Sequence, residues 1–458
     1  MQEHITILHT NDLHSHLERW PKIRRYLLQK QTNLRQNGVA VFTFDIGDFI
    51  DRAHPLTEAT MGQANTALMN QVHYDAATIG NNEILGLAHE DMNHLHDAAE
   101  FPVLLGDITD MQTGELPKWA VRSVILTTPK GTRVGVLGMT APFILTLPLL
   151  GWMPEKLDQA MTQALAELAG KTDFNVLLSH LGLPTDHYLA ERFPDLQVII
   201  GAHTHHHLPH GEKRGSALLA AAGKYGEHIG RIDLEITDGT LTKMQATTVD
   251  TDALPAEIAD TVEIEGYRKS GREQLDKEVV AVLPTAYSTN KHADNRLIDL
   301  GLAALERRTR TTIAMLSTGM FLGDLPTGRV TKDVLHEILP HAVHPMRTTL
   351  QGVDLWRLVH EVAKSRAYMK SSQIRGMGFR GGSWGEIIWD GITLADNGDV
   401  YVHDELIDFE EPYTIGSLDH YYFLPFFPTI EIAGDNKMSY RTVFREDFAD
   451  YLHEKFFD

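Results

Sequence analysis

The sequence predicts an α/β protein of two domains, and three observations carry that prediction. Short apolar runs alternate with amphipathic stretches through the first half, and the residues just beyond those runs are repeatedly Asp, Asn or His. The composition then turns charged between residues 250 and 277, before a second series of elements begins. The length of 458 residues agrees, since a domain takes roughly 100–200. With 43% hydrophobic and 22% charged residues, the chain has the make-up of an ordinary globular protein.

Runs at 5–8, 39–44, 76–79, 103–105, 134–137, 175–178 and 198–200 are short and rich in Val, Ile, Leu and Ala, as buried strands are. Between them Leu157, Met161, Ala164, Leu165 and Leu168 recur at helical spacing. Residues 217–222, 231–236 and 241–249 read as a strand meander, with Asp238-Gly239 at a hairpin turn. The charged stretch reads as a bridging helix, with Pro255 in its first turn. Beyond it come a strand at 279–283 and an apolar helix through Leu305 with Asp294 as its N-cap. Helices at 331–339, stopped by Pro340, and at 353–366 follow. These boundaries give a first domain at 1–250, a linker at 251–278 and a second domain at 279–458.

The net charge of −21 repels nucleic acid polymers and anionic membranes, so neither is expected as a partner. It also means that a phosphate-bearing substrate must be met by metal ions or by locally placed cations. There is no cysteine, so disulfides are excluded. No stretch reaches the ~18–20 apolar residues of a membrane span. Met1 leads straight into the first apolar run without a signal-like segment, so the expectation, with Met1 as the native start, is a cytoplasmic protein.

Chemistry is concentrated at the ends of the apolar runs. Asp12 and His14 follow the first, Asp48 the second and Asn81 the third; His180 follows the run ending at Leu178, and His203 and His205 the run ending at Ile200. Strand ends in an open α/β sheet converge on one crevice. The seven side chains supply mixed oxygen and imidazole donors, enough for two divalent cations, with Asp48 as the bridging carboxylate. Imidazoles beside carboxylates favour Mn²⁺, Zn²⁺ or Fe²⁺ over Mg²⁺ or Ca²⁺. Two such cations would activate water near neutral pH and neutralise phosphoryl oxygens.

The sequence Leu8-His9-Thr10-Asn11-Asp12-Leu13-His14, with Gly47-Asp48, Gly80-Asn81, His180 and Gly201-Ala202-His203-Thr204-His205, resembles the signature of the 5′-nucleotidase family of calcineurin-like metallophosphoesterases. Gly223-Lys224-Tyr225-Gly226 and the following Gly230-Arg231-Ile232-Asp233-Leu234 resemble the strand that closes that family's metal domain. The likeness is strong over residues 4 to 250. It continues through Leu325-Pro326, Gly328, Val330-Thr331 and Leu339-Pro340. The resemblance implies a first domain built as a sandwich of sheets flanked by helices, and a second α/β domain that selects the substrate. It gives one metal to Asp12, His14 and His205 and the other to Asn81, His180 and His203, with Asp48 shared.

Two departures stand out. The family places a catalytic histidine directly after the metal-binding asparagine, and here that residue is Asn82, an amide unable to transfer a proton at neutral pH. His206, His207 or a metal-bound water are candidate replacements; of the run from His205 to His210, only His205 fits a ligand position. The family's substrate-contacting arginine aligns with Leu322, leaving Arg347, Arg375 or Arg380 to supply a charge. For stacking on a base the candidates are Phe379 and one of Tyr421, Tyr422 or Phe423, with core packing of the small domain as the competing explanation. The expected activity is hydrolysis of a nucleotide phosphate monoester by a metal-activated hydroxide. The alternatives are a cyclic nucleotide, a nucleotide sugar or diphosphate, another small phosphoester, or metal-dependent nucleotide binding with vestigial turnover.

Overall fold

The computed structural model describes residues 2–372 and 378–457. The chain divides into two compact units, residues 1–271 and 272–458, with the division inside the helix Ile258–Leu275. That helix begins three residues beyond Pro255, so the proline precedes it and does not occupy its first turn.

The first unit is a sandwich of two mixed sheets. The seven-stranded sheet runs Thr240–Asp250, His228–Thr237, Gln2–Thr10, Ala40–Asp45, Ala76–Thr78, Val103–Leu104 and Ala120–Val121. The six-stranded sheet runs Glu212–Arg214, Ala217–Ala220, Val198–Gly201, Phe174–His180, Arg133–Thr140 and Ser123–Thr127. Their inner faces meet through Ile5, Ile7, Phe42 and Phe44 on one side and Val134, Val136, Val176, Leu178 and Ile200 on the other. The outer face of the second sheet packs Leu137, Leu177 and Ile199 against Met161, Ala164 and Leu168 of the helix Leu157–Leu168. Burial on both faces is why these strands read as continuous apolar runs and not as alternating ones. All six residues of Ala40–Asp45 are buried.

The sheets approach closely at Gly138, where a Cβ would stand 2.4 Å from the Leu104 carbonyl oxygen of the facing sheet. The meander ends as expected: Thr237 pairs with Thr240 across Asp238 and Gly239, both at positive φ, as a tight hairpin turn requires.

The second unit holds a five-stranded sheet in the order Ile387–Asp390, Ala314–Ser317, Pro412–Leu418, Pro345–Gln351 and Asp435–Met438. It is packed with the helices Leu297–Thr309, Gly352–Ser371 and Phe444–Phe456. Asp294 does not cap the first of these. The helix starts at Leu297, whose N–H donates to the Ser288 carbonyl, so the adjoining loop and not a side chain satisfies that end. Thr331 does cap the helix Lys332–Ile338, accepting from the Val334 N–H. Among the described residues, no helix is long and apolar enough to cross a membrane.

Candidate active site

The strands carrying the predicted ligands belong to both sheets. Gln2–Thr10, Ala40–Asp45 and Ala76–Thr78 are parallel neighbours in one, and Phe174–His180 and Val198–Gly201 in the other. All five end at the same edge of the sandwich, so the crevice expected of one open sheet is built from two.

The seven side chains come together there. Nε2 of His14 stands 3.2 Å from Nε2 of His205, 3.8 Å from Asp12 Oδ1 and 3.6 Å from Asp48 Oδ2. Asp48 Oδ2 is also 3.5 Å from His180 Nε2, so this one oxygen faces an imidazole of each expected group. Asp12 Oδ1 lies 3.6 Å from His205 and 4.0 Å from His180. The Asn81 side-chain oxygen Oδ1 completes the far side, 2.8 Å from His203 Nδ1 and 3.4 Å from His180 Nε2. Two compact donor groups result, Asp12 with His14 and His205, and Asp12 with Asp48 and His180. Two carboxylates, one amide oxygen and four imidazoles within such distances suit a pair of divalent cations.

Local backbone shape aims these groups. Asp12, His14, Asp48, His203 and His205 all have φ between +49° and +73°, a region non-glycine residues enter at a cost. Hydrogen bonds between the loops offset that cost. Asp12 N–H donates to the Gly47 carbonyl, His14 N–H to that of Asp48, and His203 N–H to the Asp12 carboxylate. His180 donates from Nδ1 to the Ile46 carbonyl at 2.7 Å, which turns Nε2 toward the carboxylates. Gly80 is needed for space: a Cβ there would stand 2.1 Å from Asp48 Oδ1 and 2.5 Å from the His180 ring.

Burial and neighbouring charges shift these groups in different directions. Burial pushes the Asp12 carboxyl above its ordinary range, partly offset by His180. At Asp48 burial acts in the same direction, but His180 and His14 outweigh it and hold the carboxyl below the usual carboxylate value. Burial opposes charge on His180 too, yet Asp48 and Asp12 lift its imidazole to about 10. His205 is lowered to about 4 by burial, His14 and the nearby charge of Lys224.

Sequence reasoning gave Glu83 no role. Its buried carboxylate accepts the N–H groups of Asp48, Ile50 and Gly80 at 3.0, 3.1 and 2.8 Å, joining two ligand loops. Asn82 is likewise tied in. Its N–H donates to Asp48 Oδ1, and its amide nitrogen lies 2.7 Å from His14 Nδ1 and donates to the Ile50 carbonyl. A histidine there could not hold both contacts, so Asn82→His is expected to leave kcat equal or lower on aryl and alkyl phosphates alike. A ~10-fold gain on the alkyl ester, about 1.4 kcal/mol off the barrier, would show that this position accepts the missing acid.

His206 and His207 stay outside the cluster, exposed and bonded to Thr204 and Thr248. In the second unit Phe379 is not an open stacking surface. It is 3% exposed, lies 4.7 Å from His341 and 4.8 Å from Trp384 in stacked geometry, and belongs to the core. Tyr421 is also fully buried, its hydroxyl accepting the Ser317 N–H. Tyr422 is half-buried against Phe423, which is 53% exposed, and Arg347 and Arg380 are exposed. Arg375 lies outside the described residues.

A two-sheet sandwich with an acid, amide and imidazole cluster at its edge defines a metallophosphoesterase. The calcineurin-like phosphoesterase family pattern matches residues 5–207. An uncharacterized metallophosphoesterase of Bacillus subtilis, YunD, is 34% identical over 449 residues, covering 95% of this chain and 96% of its own. The chain belongs to the calcineurin-like metallophosphoesterases. A 5′-nucleotidase of Vibrio parahaemolyticus is 23% identical, over 77% of this chain and 72% of its own. A solved structure of a putative 5′-nucleotidase from Staphylococcus aureus shares the fold, with a TM-score of 0.67 at 16% identity over 98% of this chain and 96% of that one.

Proposed function

We propose that the protein hydrolyses the phosphate monoester of a nucleotide, with the metal chemistry in residues 1–250 and the choice of substrate in residues 279–458. One observation carries the reading: seven donor side chains from five strand ends, in two sheets, stand within contact of one another around two carboxylates. Asp12, His14 and His205 would hold one divalent ion and Asn81, His180 and His203 the other, with Asp48 shared. Such ions supply an activated water and charge neutralisation for the phosphoryl group. The chain's own residues orient and position. Glu83 holds the Asp48 and Gly80 loops together, the Ile46 carbonyl fixes the His180 ring, and Asn82 braces His14.

The resemblance to 5′-nucleotidases supports a nucleotide as the substrate. A second reading keeps the chemistry and changes the substrate to a cyclic nucleotide, a nucleotide sugar or another small phosphoester. It is favoured by Leu322 at the arginine position and by the burial of Phe379. A cytoplasmic location goes with either reading. The test is a panel of nucleoside monophosphates, cyclic nucleotides, nucleotide sugars and an aryl phosphate, assayed with Mn²⁺ and after chelation. Chelator-sensitive turnover greatest on a nucleoside monophosphate is expected. A preference for another class establishes the second reading, and no turnover of any phosphoester rejects both.

A further inference from the structure

The motif Gly223-Lys224-Tyr225-Gly226 has no part in holding the expected ions, yet the fold turns it onto the ligand cluster. The Gly223 carbonyl accepts from Asn11 Nδ2 at 2.7 Å, and the Tyr225 N–H donates to the Asp12 carbonyl at 2.7 Å. The turn is therefore pinned at both ends to the loop carrying Asp12. Tyr225 sits at φ +57° between Gly223 at +77° and Gly226 at +64°. For an aromatic residue that conformation is strained, and it persists only where its surroundings enforce it.

The Tyr225 ring packs against the ligand cluster. It meets His14 edge-on at 5.6 Å and 74°, lies 6.3 Å from His205, and covers His16 at 4.0 Å. Lys224 extends its Nζ over this ring, 4.5 Å from the centroid. Among the described residues Lys224 forms no ion pair with a carboxylate, in a chain with 62 acidic and 41 basic residues. The neighbouring Arg19, which donates to the Tyr225 carbonyl, is already engaged, pairing with Glu18 and Asp252.

We propose that Lys224 is an anion-binding residue of this crevice, its ammonium meeting the oxygens of a bound phosphate monoester or of inorganic phosphate, with Tyr225 as the positioning residue that aims it. The proposal rests on the hydrolase reading for the ester and stands apart from it for inorganic phosphate. A cation at this place also answers the difficulty of drawing an anion into a protein of net charge −21.

The test uses full-length protein loaded with Mn²⁺ and its Lys224→Ala, Lys224→Gln and Lys224→Arg variants. The Kd for inorganic phosphate is measured by calorimetry, kcat and KM on an aryl phosphate, and bound manganese per chain. The two neutral variants are expected to weaken phosphate binding and raise KM by about 10-fold or more, the scale of one charge-assisted hydrogen bond. Lys224→Arg should recover most of that loss, and manganese content should not change. Phosphate affinity and KM within about twofold of the unmodified protein in both neutral variants would overturn the assignment, as would a loss that tracks loss of manganese. Lys224-dependent phosphate binding by a protein that hydrolyses no phosphoester would uphold the contact and reject the hydrolase reading.

Discussion

Asp48→Asn is expected to abolish turnover and to lower the bound metal while leaving the fold intact. Asp48 is buried, and its Oδ2 faces both His14 and His180, so losing one negative charge weakens both donor groups at once. Its Oδ1 accepts the Asn82 N–H, a contact the asparagine carbonyl can still make, so the loop should keep its shape. A loss of roughly 10³-fold in kcat/KM, about 4 kcal/mol, is the expected scale. Elemental analysis should find fewer than two metals per chain, and the rise in Tm on adding Mn²⁺ should shrink. Two metals still bound with near-normal turnover would remove Asp48 from the centre of the site.

Gly80→Ala should do comparable damage with a single methyl group. Its backbone, φ −111° and ψ −168°, is open to any residue, so the substitution carries no conformational penalty of its own. What it lacks is room, because the new Cβ would overlap Asp48 Oδ1 and the His180 ring. One of those two must move, and both are expected to touch the metals. A loss of roughly 10²–10³-fold in activity, with about 1–3 kcal/mol lost from the fold, is expected for such overpacking. Gly266→Ala provides the control. That residue lies within the helix Ile258–Leu275 with nothing within 4 Å of its added Cβ, so the change should leave activity alone and stabilise the helix by up to about 1 kcal/mol. Equal activity in the two variants would mean that the Gly80 loop yields freely.

The strand-end pattern was legible because both of its parts are local. A buried strand announces itself by a short apolar run, and a ligand by the polar residue just beyond it, so Asp12, Asp48, Asn81, His180 and His203 could be placed without knowing how the sheets pair. The hairpin at Asp238-Gly239 was legible for the same reason, since its turn needs two residues tolerant of positive φ. Glu83 gave no such sign. Nothing in the sequence shows that three N–H groups from two loops will point at one carboxylate. Asp294 misled because a good capping residue was read where a distant carbonyl, that of Ser288, already does the work.

The sequence by itself thus determined which residues can bind metal, that five strands present them, and that Asn82 and Leu322 depart from the pattern the chain resembles. Only the tertiary structure decided that those strands divide between two sheets and that Asp48 stands between His14 and His180. It alone showed that Asn82 braces His14, that Phe379 belongs to the core, and that the Tyr225 ring meets His14 edge-on. The physical reason is range. Strand and turn preferences arise from a few neighbouring residues, whereas sheet membership, burial of an aromatic ring and the aim of a side chain depend on contacts made with residues far along the chain.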